Sequence, residues 1–497
     1  MMYRFSGEYL QQWLKKKRRK PLILRGARQV GKSTIVRMFA QQNRFELCEI
    51  NLEQHMYLND IFKTLDIEYI LQELEAVLGT DIRKPGALLF LDEIQATPYA
   101  LQSLRYFYEQ RPSILVIAAG SLLEFTLADH HFSMPVGRIE YYYLGPMTFK
   151  EFLNAVEPGL GKYITGYEIG KTMPVSAHEK LKKRQRQYFF TGGMPEAVLA
   201  FKETGSFTEV SEVHRSIAET YQDDFSKYAK QKELALLQKV FRYLPMTLGK
   251  KIKYSNISSE HKAKKIKTAI DLLEKARICH RIYHTHCSGL PLYADINERA
   301  YKIVFMDIGI VNHICGNDWI YINSFMEKEL VNEGALAEQF IGQHLIAVKN
   351  QAPQLCYWLR EGKSANAEVD YVISQGNLIL PVEVKNGKSG SLKSLHQFVL
   401  QKKTDIAVRF DMNMPGIQEV EHTAATKLGN DTASFELLSL PLYMVEELPR
   451  LIDQIRIGLS KSAITNYPES GTNQTQSHVG TGRVGGNAGF ESGWSGC

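Results

Sequence analysis

The stretch Gly26-Ala27-Arg28-Gln29-Val30-Gly31-Lys32-Ser33 decides the reading of this chain. It follows the apolar run Leu22-Ile23-Leu24 and leads into a segment with Ile35, Val36 and Phe39 at helical spacing. Strand, glycine loop and helix in that order fit the pattern G-x-x-x-x-G-K-[ST] without a gap. Phosphate chemistry explains the residue types. Gly26 and Gly31 let the backbone curl, so that successive N–H groups along Ala27, Arg28, Gln29, Val30 and on to Thr34 point at phosphate oxygens. The helix that follows adds its N-terminal dipole. Lys32 reaches the β/γ-phosphates as a point charge, and the Ser33 hydroxyl is placed to ligand Mg²⁺.

A loop of this kind binds phosphate, and hydrolysis needs two further groups, a metal-holding acid and a water-polarising base. Asp92 and Glu93 supply both, directly after the apolar run Ala87-Leu88-Leu89-Phe90-Leu91. A continuous apolar run reads as a buried parallel strand, and ligands bind at the carboxyl ends of such strands. Asp92 is expected in the metal shell and Glu93 is expected to activate water.

These motifs, with Ala118-Ala119-Gly120-Ser121-Leu122-Leu123-Glu124 and Pro135-Val136-Gly137-Arg138, resemble a prokaryotic family of AAA-type ATPases. Members of that family usually carry a C-terminal domain of unknown function. The resemblance continues through Thr191-Gly192-Gly193-Met194-Pro195-Glu196 and spans roughly residues 8 to 440. It implies ATP and Mg²⁺ as cofactors, and Ser121 as the polar sensor of the γ-phosphate. It also implies that Arg138 contacts the γ-phosphate, either in its own subunit or in a neighbour's through self-association of the ATPase core. The alternative is an arginine that merely holds Glu140 or another surface acid.

The 497 residues are too many for one core, and 44% apolar with 23% charged content is ordinary for a globular protein. No run approaches the roughly 18 apolar residues of a membrane span, and no apolar segment follows the basic cluster near the N-terminus, so a cytoplasmic protein is expected. Six scattered cysteines without a C-x-x-C read as reduced thiols. The net charge of +6 permits contact with DNA. The run Lys15-Lys16-Lys17-Arg18-Arg19-Lys20 reads either as a solvated helix end or as a phosphate-backbone contact.

The fold class expected is α/β. A doubly wound parallel P-loop sheet occupies residues 1–147, followed by a helical lid over 148–232, which is assigned by the resemblance. Residues 233–300 read as a winged-helix connector, with a helix bearing Lys262, Lys264, Lys265 and Lys267 and two strands, Ile278–Thr285 and Leu292–Ile296. Such a module either meets DNA or serves as a protein–protein spacer. Within it, the cysteines and histidines from Cys279 to Cys287 invite a zinc reading. Period-two alternation puts His280, His284 and His286 on one face and both cysteines on the other, so four ligands do not converge.

A second constellation lies in residues 301–445. Ala367 to Ile373 reads as a strand carrying Asp370, and Leu378 to Lys385 as another ending in Glu383-Val384-Lys385. This resembles the PD-(D/E)xK nuclease core, with Val369 where the proline of the motif would stand. The resemblance implies that Asp370 and Glu383 hold a divalent cation, that Lys385 acts on the water, and that Glu338 is the helix acid many such enzymes add. The alternative is an inactive nuclease-like domain in a nucleotide-gated assembly or interaction protein. Residues 462–497 are rich in Gly, Ser, Thr and Asn and are expected to be disordered.

Overall fold

A computed structural model describes residues 2–121, 123, 137–227, 229–317, 333–348, 354–360, 367–385, 392–426 and 429–465. Leu122, Glu124, Pro135 and Val136 of the family motifs lie outside these residues, as does the expected disordered tail from 466 onward. The chain forms two compact units, residues 1–451 and residues 452–497, and the helix Leu448–Thr465 carries past the boundary expected at 462.

Five strands make the first sheet: β1 (Leu22–Arg25), β2 (Glu46–Asn51), β3 (Ala87–Asp92), β4 (Leu115–Gly120) and β5 (Glu140–Tyr143), in the order β2-β3-β4-β1-β5. Every pairing is parallel. β3 and β4 are buried along their whole length, which is why they read as unbroken apolar runs. One face is covered by the helices Ile67–Leu78 and Pro98–Gln110, whose Ile70, Leu74, Leu101 and Leu104 pack on Leu89 and Leu91. Asp66 caps the first of these through the amides of Glu68 and Tyr69, and Gly79, at φ 65°, ends it.

Residues 148–227 are helical: Phe149–Val156, Pro158–Thr165, Val175–Thr191, Pro195–Thr204 and Phe207–Asp224. Between the third and fourth lies the Gly192-Gly193 turn. A Cβ on Gly193 would stand 2.0 Å from the Met147 carbonyl oxygen, and one on Gly192 would stand 2.2 Å from Asp307 Oδ1. Asp307 is fully buried and accepts the Gly193 amide at 2.6 Å. The double glycine is therefore a close-packed joint between the helical region and the C-terminal half.

The second sheet has eight strands in the order β12-β13-β11-β10-β9-β8-β6-β7. Its strands are β6 (Cys279–Thr285), β7 (Ile296–Phe305), β8 (Cys356–Leu359), β9 (Glu368–Gln375), β10 (Leu378–Val384), β11 (Ile406–Asp411), β12 (Gly416–Thr426) and β13 (Gly429–Pro441). The helices Gln231–Tyr243, Tyr254–Ile257 and Ala263–Lys275 precede the antiparallel pair β6/β7, the element order expected of residues 233–300. Two details differ. Leu292–Asp295 is a 3₁₀ turn, because Thr285 Oγ1 bonds the Leu292 carbonyl and Asp295 Oδ1 and folds the segment back; the strand starts only at Ile296. β6 also pairs in parallel with β8, through Tyr283↔Cys356 and His284↔Tyr357, so the hairpin is continuous with the C-terminal sheet and the boundary drawn at 300 falls inside β7. Among the described residues no helix is long and apolar enough to cross a membrane.

Candidate functional site

β1 ends at Arg25 and the helix Lys32–Asn43 begins just after the glycine loop, burying Ile35, Val36 and Phe39 against the sheet. The loop between them is tightly held. A Cβ on Gly26 would stand 2.1 Å from the Leu144 carbonyl oxygen, and Gly31 has φ +91°, so neither position accepts an ordinary side chain. Lys32 Nζ donates to the carbonyls of Gly26 at 3.1 Å and Ala27 at 2.7 Å. Burial pulls the Lys32 pKa down to about 8, opposed by the nearby Glu93 and Asp92 charges. Its ammonium thus sits at the mouth of the loop, on acceptors it can exchange for phosphate oxygens.

Ser33 Oγ donates to Asp92 Oδ2 at 2.7 Å, which brings the two expected metal-shell groups together. Burial raises the Asp92 pKa, against the stabilising Ser33 bond. Glu93 follows in the left-handed region, at φ 50°. Its Oε2 accepts from Gln95 Nε2 at 2.6 Å and, at the long limit of 3.5 Å, from Ser121 Oγ. Ser121, the expected sensor, therefore lies within reach of the expected base.

Sequence reasoning missed the groups that brace this loop. Arg4 Nη1 donates to the Val30 carbonyl at 3.1 Å while its Nε pairs with Glu151 at 3.1 Å. Arg28 Nε pairs with Asp224 at 2.6 Å, and the Tyr221 hydroxyl donates to the Arg28 carbonyl at 2.7 Å. A side chain on Gly31 would meet Pro195 of the Gly-Gly-Met-Pro segment at 3.5 Å. These braces come from distant elements and leave no local signal in the sequence.

Arg138 is not at the loop. It precedes β5, whose first amide, that of Glu140, bonds the Pro21 carbonyl ahead of β1, and its Nε donates to Glu109 Oε1 at 2.8 Å on the last turn of Pro98–Gln110. That is the amino edge of a parallel sheet, about 13 Å from the carboxyl edge for a four-residue strand at about 3.3 Å per residue. Its partner there is a surface acid, as in the alternative reading of this arginine. In the Lys15–Lys20 run Lys15 to Arg18 are exposed, while Trp13 Nε1 donates to the Lys20 carbonyl at 2.8 Å and Lys16 pairs with Glu140 at 2.5 Å.

In the C-terminal half Lys264, Lys265 and Lys267 lie on the exposed face of Ala263–Lys275, opposite the buried Ile266, Ala269, Ile270 and Leu273. Cys279 and His284 are buried in β6. Among the described residues no group of three or more His, Cys, Asp or Glu side chains is gathered as a metal ion would require.

The nuclease-like residues do come near one another. Glu338 stands on the helix Glu333–Val348, Asp370 on β9 and Glu383 on β10, with Lys385 just beyond. Asp370 Oδ2 accepts the Val384 amide at 2.8 Å, the Tyr371 hydroxyl donates to the Glu338 carbonyl at 2.9 Å, and Lys385 pairs with Glu383. Burial, then repulsion from Asp370, raises the pKa of both Glu338 and Glu383. Two members went unpredicted, Lys302 of β7 and Glu368 of β9, whose side chains meet at 2.5 Å.

Comparison with known proteins places an AAA domain over residues 18–153. Two domains of unknown function match residues 182–320 and 333–426. No curated protein matches the chain. Among solved structures, C. elegans PCH-2 is 12% identical at a TM-score of 0.25, covering 41% of this chain and 65% of its own. Aeropyrum pernix ORC1, solved in complex with DNA, is 13% identical at 0.25, covering 64% of this chain and 92% of its own. AMPPCP-bound DnaA from Aquifex aeolicus is 11% identical at 0.25, covering 55% and 86%. The chain spans less than two thirds of the PCH-2 length, and TM-scores this low carry no argument about function. The AAA domain match, on a parallel sheet with a complete phosphate loop, supports an AAA-type P-loop ATPase in the N-terminal part of the chain.

Proposed function

We propose that the chain is a Mg²⁺-dependent ATPase whose nucleotide site is completed by a second copy and whose cycle is passed to the C-terminal half. The observation that carries this reading is the 2.7 Å bond between Ser33 Oγ and Asp92 Oδ2, beside Lys32 and Glu93. Ser33 and Asp92 would hold the metal, and the bound Mg²⁺–ATP would supply the electrophilic γ-phosphate. The loop amides and the start of the helix Lys32–Asn43 bind and orient phosphate. Lys32 leaves the Gly26 and Ala27 carbonyls for phosphate oxygens, and the negative charge it meets there raises its pKa again. Glu93, once freed from Gln95, takes the proton of the attacking water on a carboxylate oxygen.

Arg138, paired with Glu109 at the amino edge of its own sheet, is assigned in this proposal to a neighbour's site, reached through self-association of the ATPase core; the alternative keeps it as the partner of Glu109 alone. The route to the C-terminal half starts with Pro195 facing Gly31. It continues through the Gly193–Asp307 bond into β7, which carries Lys302. DNA is a candidate partner for that half, through the exposed lysines of Ala263–Lys275. Asp370, Glu383 and Lys385 are assigned no nuclease step, because among the described residues these acids are not drawn together as a metal site. The reading in which the C-terminal domain only binds therefore stands beside the catalytic one.

Phosphate release by the purified full chain is the test. It is expected to require Mg²⁺ and to vanish with Lys32→Ala. A wild type that binds ATP yet releases no phosphate, at any Mg²⁺ concentration and at protein concentrations high enough to self-associate, would overturn the proposal.

A further inference from the structure

Arg28 fills a position that the pattern G-x-x-x-x-G-K-[ST] leaves open, and its side chain reaches the helix Phe207–Asp224. Its Nε stands 2.6 Å from Asp224 Oδ2, with the two side chains 22% and 9% exposed. Tyr221, one turn earlier on the same helix, donates its hydroxyl to the Arg28 carbonyl at 2.7 Å. The last turn of one helix therefore holds both the side chain and the backbone of this residue. The Lys32 ammonium rests at 2.7 Å on the carbonyl of Ala27, the residue before Arg28. Arg28 is thus anchored beside the group that meets the β/γ-phosphates, and its charge adds to burial in lowering the Lys32 pKa.

The hold on Arg28 is one that phosphate can take over. Burial raises the Asp224 pKa, against the charges of Arg28 and then Lys227. Lys227 Nζ lies 3.6 Å from Asp224 Oδ1 and 3.3 Å from Glu53 Oε1. Asp224 therefore keeps a cation within reach when Arg28 departs, and no buried charge is stranded. Phosphate offers the planar guanidinium paired oxygens and more negative charge than one carboxylate.

We propose that Arg28 is a γ-phosphate-binding residue exchanged between Asp224 and the nucleotide. It leaves Asp224 when a triphosphate occupies the loop and returns when only a diphosphate remains. The inference rests on the nucleotide reading of the loop and deepens it, by naming the side chain that tells the two apart. The helix Phe207–Asp224 carries the change onward. A Cβ on Gly309 would stand 2.8 Å from His214 Cε1, so the middle of that helix packs on Ile308–Ile314, beside the Asp307 joint.

The test is calorimetric titration of the full chain with Mg²⁺ and either ADP or the non-hydrolysable triphosphate AMPPCP. Asp224→Asn removes the competing carboxylate at nearly constant size. AMPPCP should then bind about tenfold tighter, while ADP affinity stays within about twofold. Arg28→Gln should do the reverse for AMPPCP, weakening it about tenfold, and leave ADP within the same limit. In Arg28→Gln/Asp224→Asn the second substitution should add nothing, since its effect passes through Arg28. A pair that merely braces the loop would instead weaken both nucleotides in either variant.

An AMPPCP-over-ADP preference unchanged from wild type, in Asp224→Asn or in Arg28→Gln shown by melting to be folded, would overturn the inference and leave the nucleotide reading standing. Should one variant fail to fold, the other decides. A wild type that binds neither nucleotide overturns both readings.

Discussion

Glu93 has the most demanding assignment of any single side chain here. Its backbone is left-handed at φ 50°, a conformation that costs a non-glycine residue energy and that recurs at functional sites. Its carboxylate is held by Gln95, two residues on, and so stands ready without yet being free. Glu93→Gln should keep ATP affinity, because Lys32, Ser33 and the loop are untouched, while hydrolysis falls by about 10²–10⁴-fold. Nucleotide titration and single-turnover hydrolysis on the same preparation check both halves, and a wild-type rate would remove Glu93 as the base. At this scale the sequence was legible wherever the chemistry is local. Gly26 to Ser33 are contiguous, and Asp92-Glu93 end a strand that announces itself by its apolar run. Arg4, Asp224 and Lys302 were not legible, because each reaches its partner from a segment far along the chain, where one charged residue looks like any other.

Among the elements, the contact between the helices Phe149–Val156 and Glu333–Val348 has a defined protonation state. His344 Nδ1 lies 2.7 Å from the Phe340 carbonyl, and its Nε2 accepts the Phe149 amide at 2.9 Å. Those partners demand a neutral ring with the proton on Nδ1, and burial lowers its pKa to about 4 from the usual 6.5. In the unfolded chain the ring takes a proton near 6.5, so its contribution to stability is complete above that pH. It is lost as pH falls from 6.5 toward 4, with a slope approaching about 1.4 kcal/mol per pH unit. Denaturant melts across that window should show stability falling on acidification, and His344→Gln should flatten the slope. An unchanged slope would place the acid sensitivity elsewhere, with the equally buried His214 next to examine. The elements themselves were read unevenly. The apolar strands and the helices of the first sheet were plain, but β5, Glu140–Tyr143, was missed because a glutamate followed by three tyrosines gives neither an apolar run nor an alternation. The second sheet was read in two pieces, because the parallel pairing of β6 with β8 joins segments that no local pattern connects.

On the scale of the whole molecule, the direction of the first sheet matters most. Lys32 lies at its carboxyl edge, and Arg138 lies at its amino edge on Glu109. The sequence left open whether Arg138 acts within its subunit, acts across to another or only holds a surface acid, since both motifs are visible but the distance between them is a property of the sheet. In the proposed assembly a complete site takes its loop from one copy and its arginine from another. Arg138→Ala keeps an intact loop and base, and Lys32→Ala keeps an intact arginine, so each alone should be nearly inactive. The decisive measurement is Mg²⁺-dependent phosphate release from these two variants, separately and mixed. The mixture is expected to regain a substantial fraction of wild-type activity, through sites that pair the loop of one variant with the arginine of the other. A mixture no more active than the sum of its parts, or an Arg138→Ala protein as active as wild type, would contradict it.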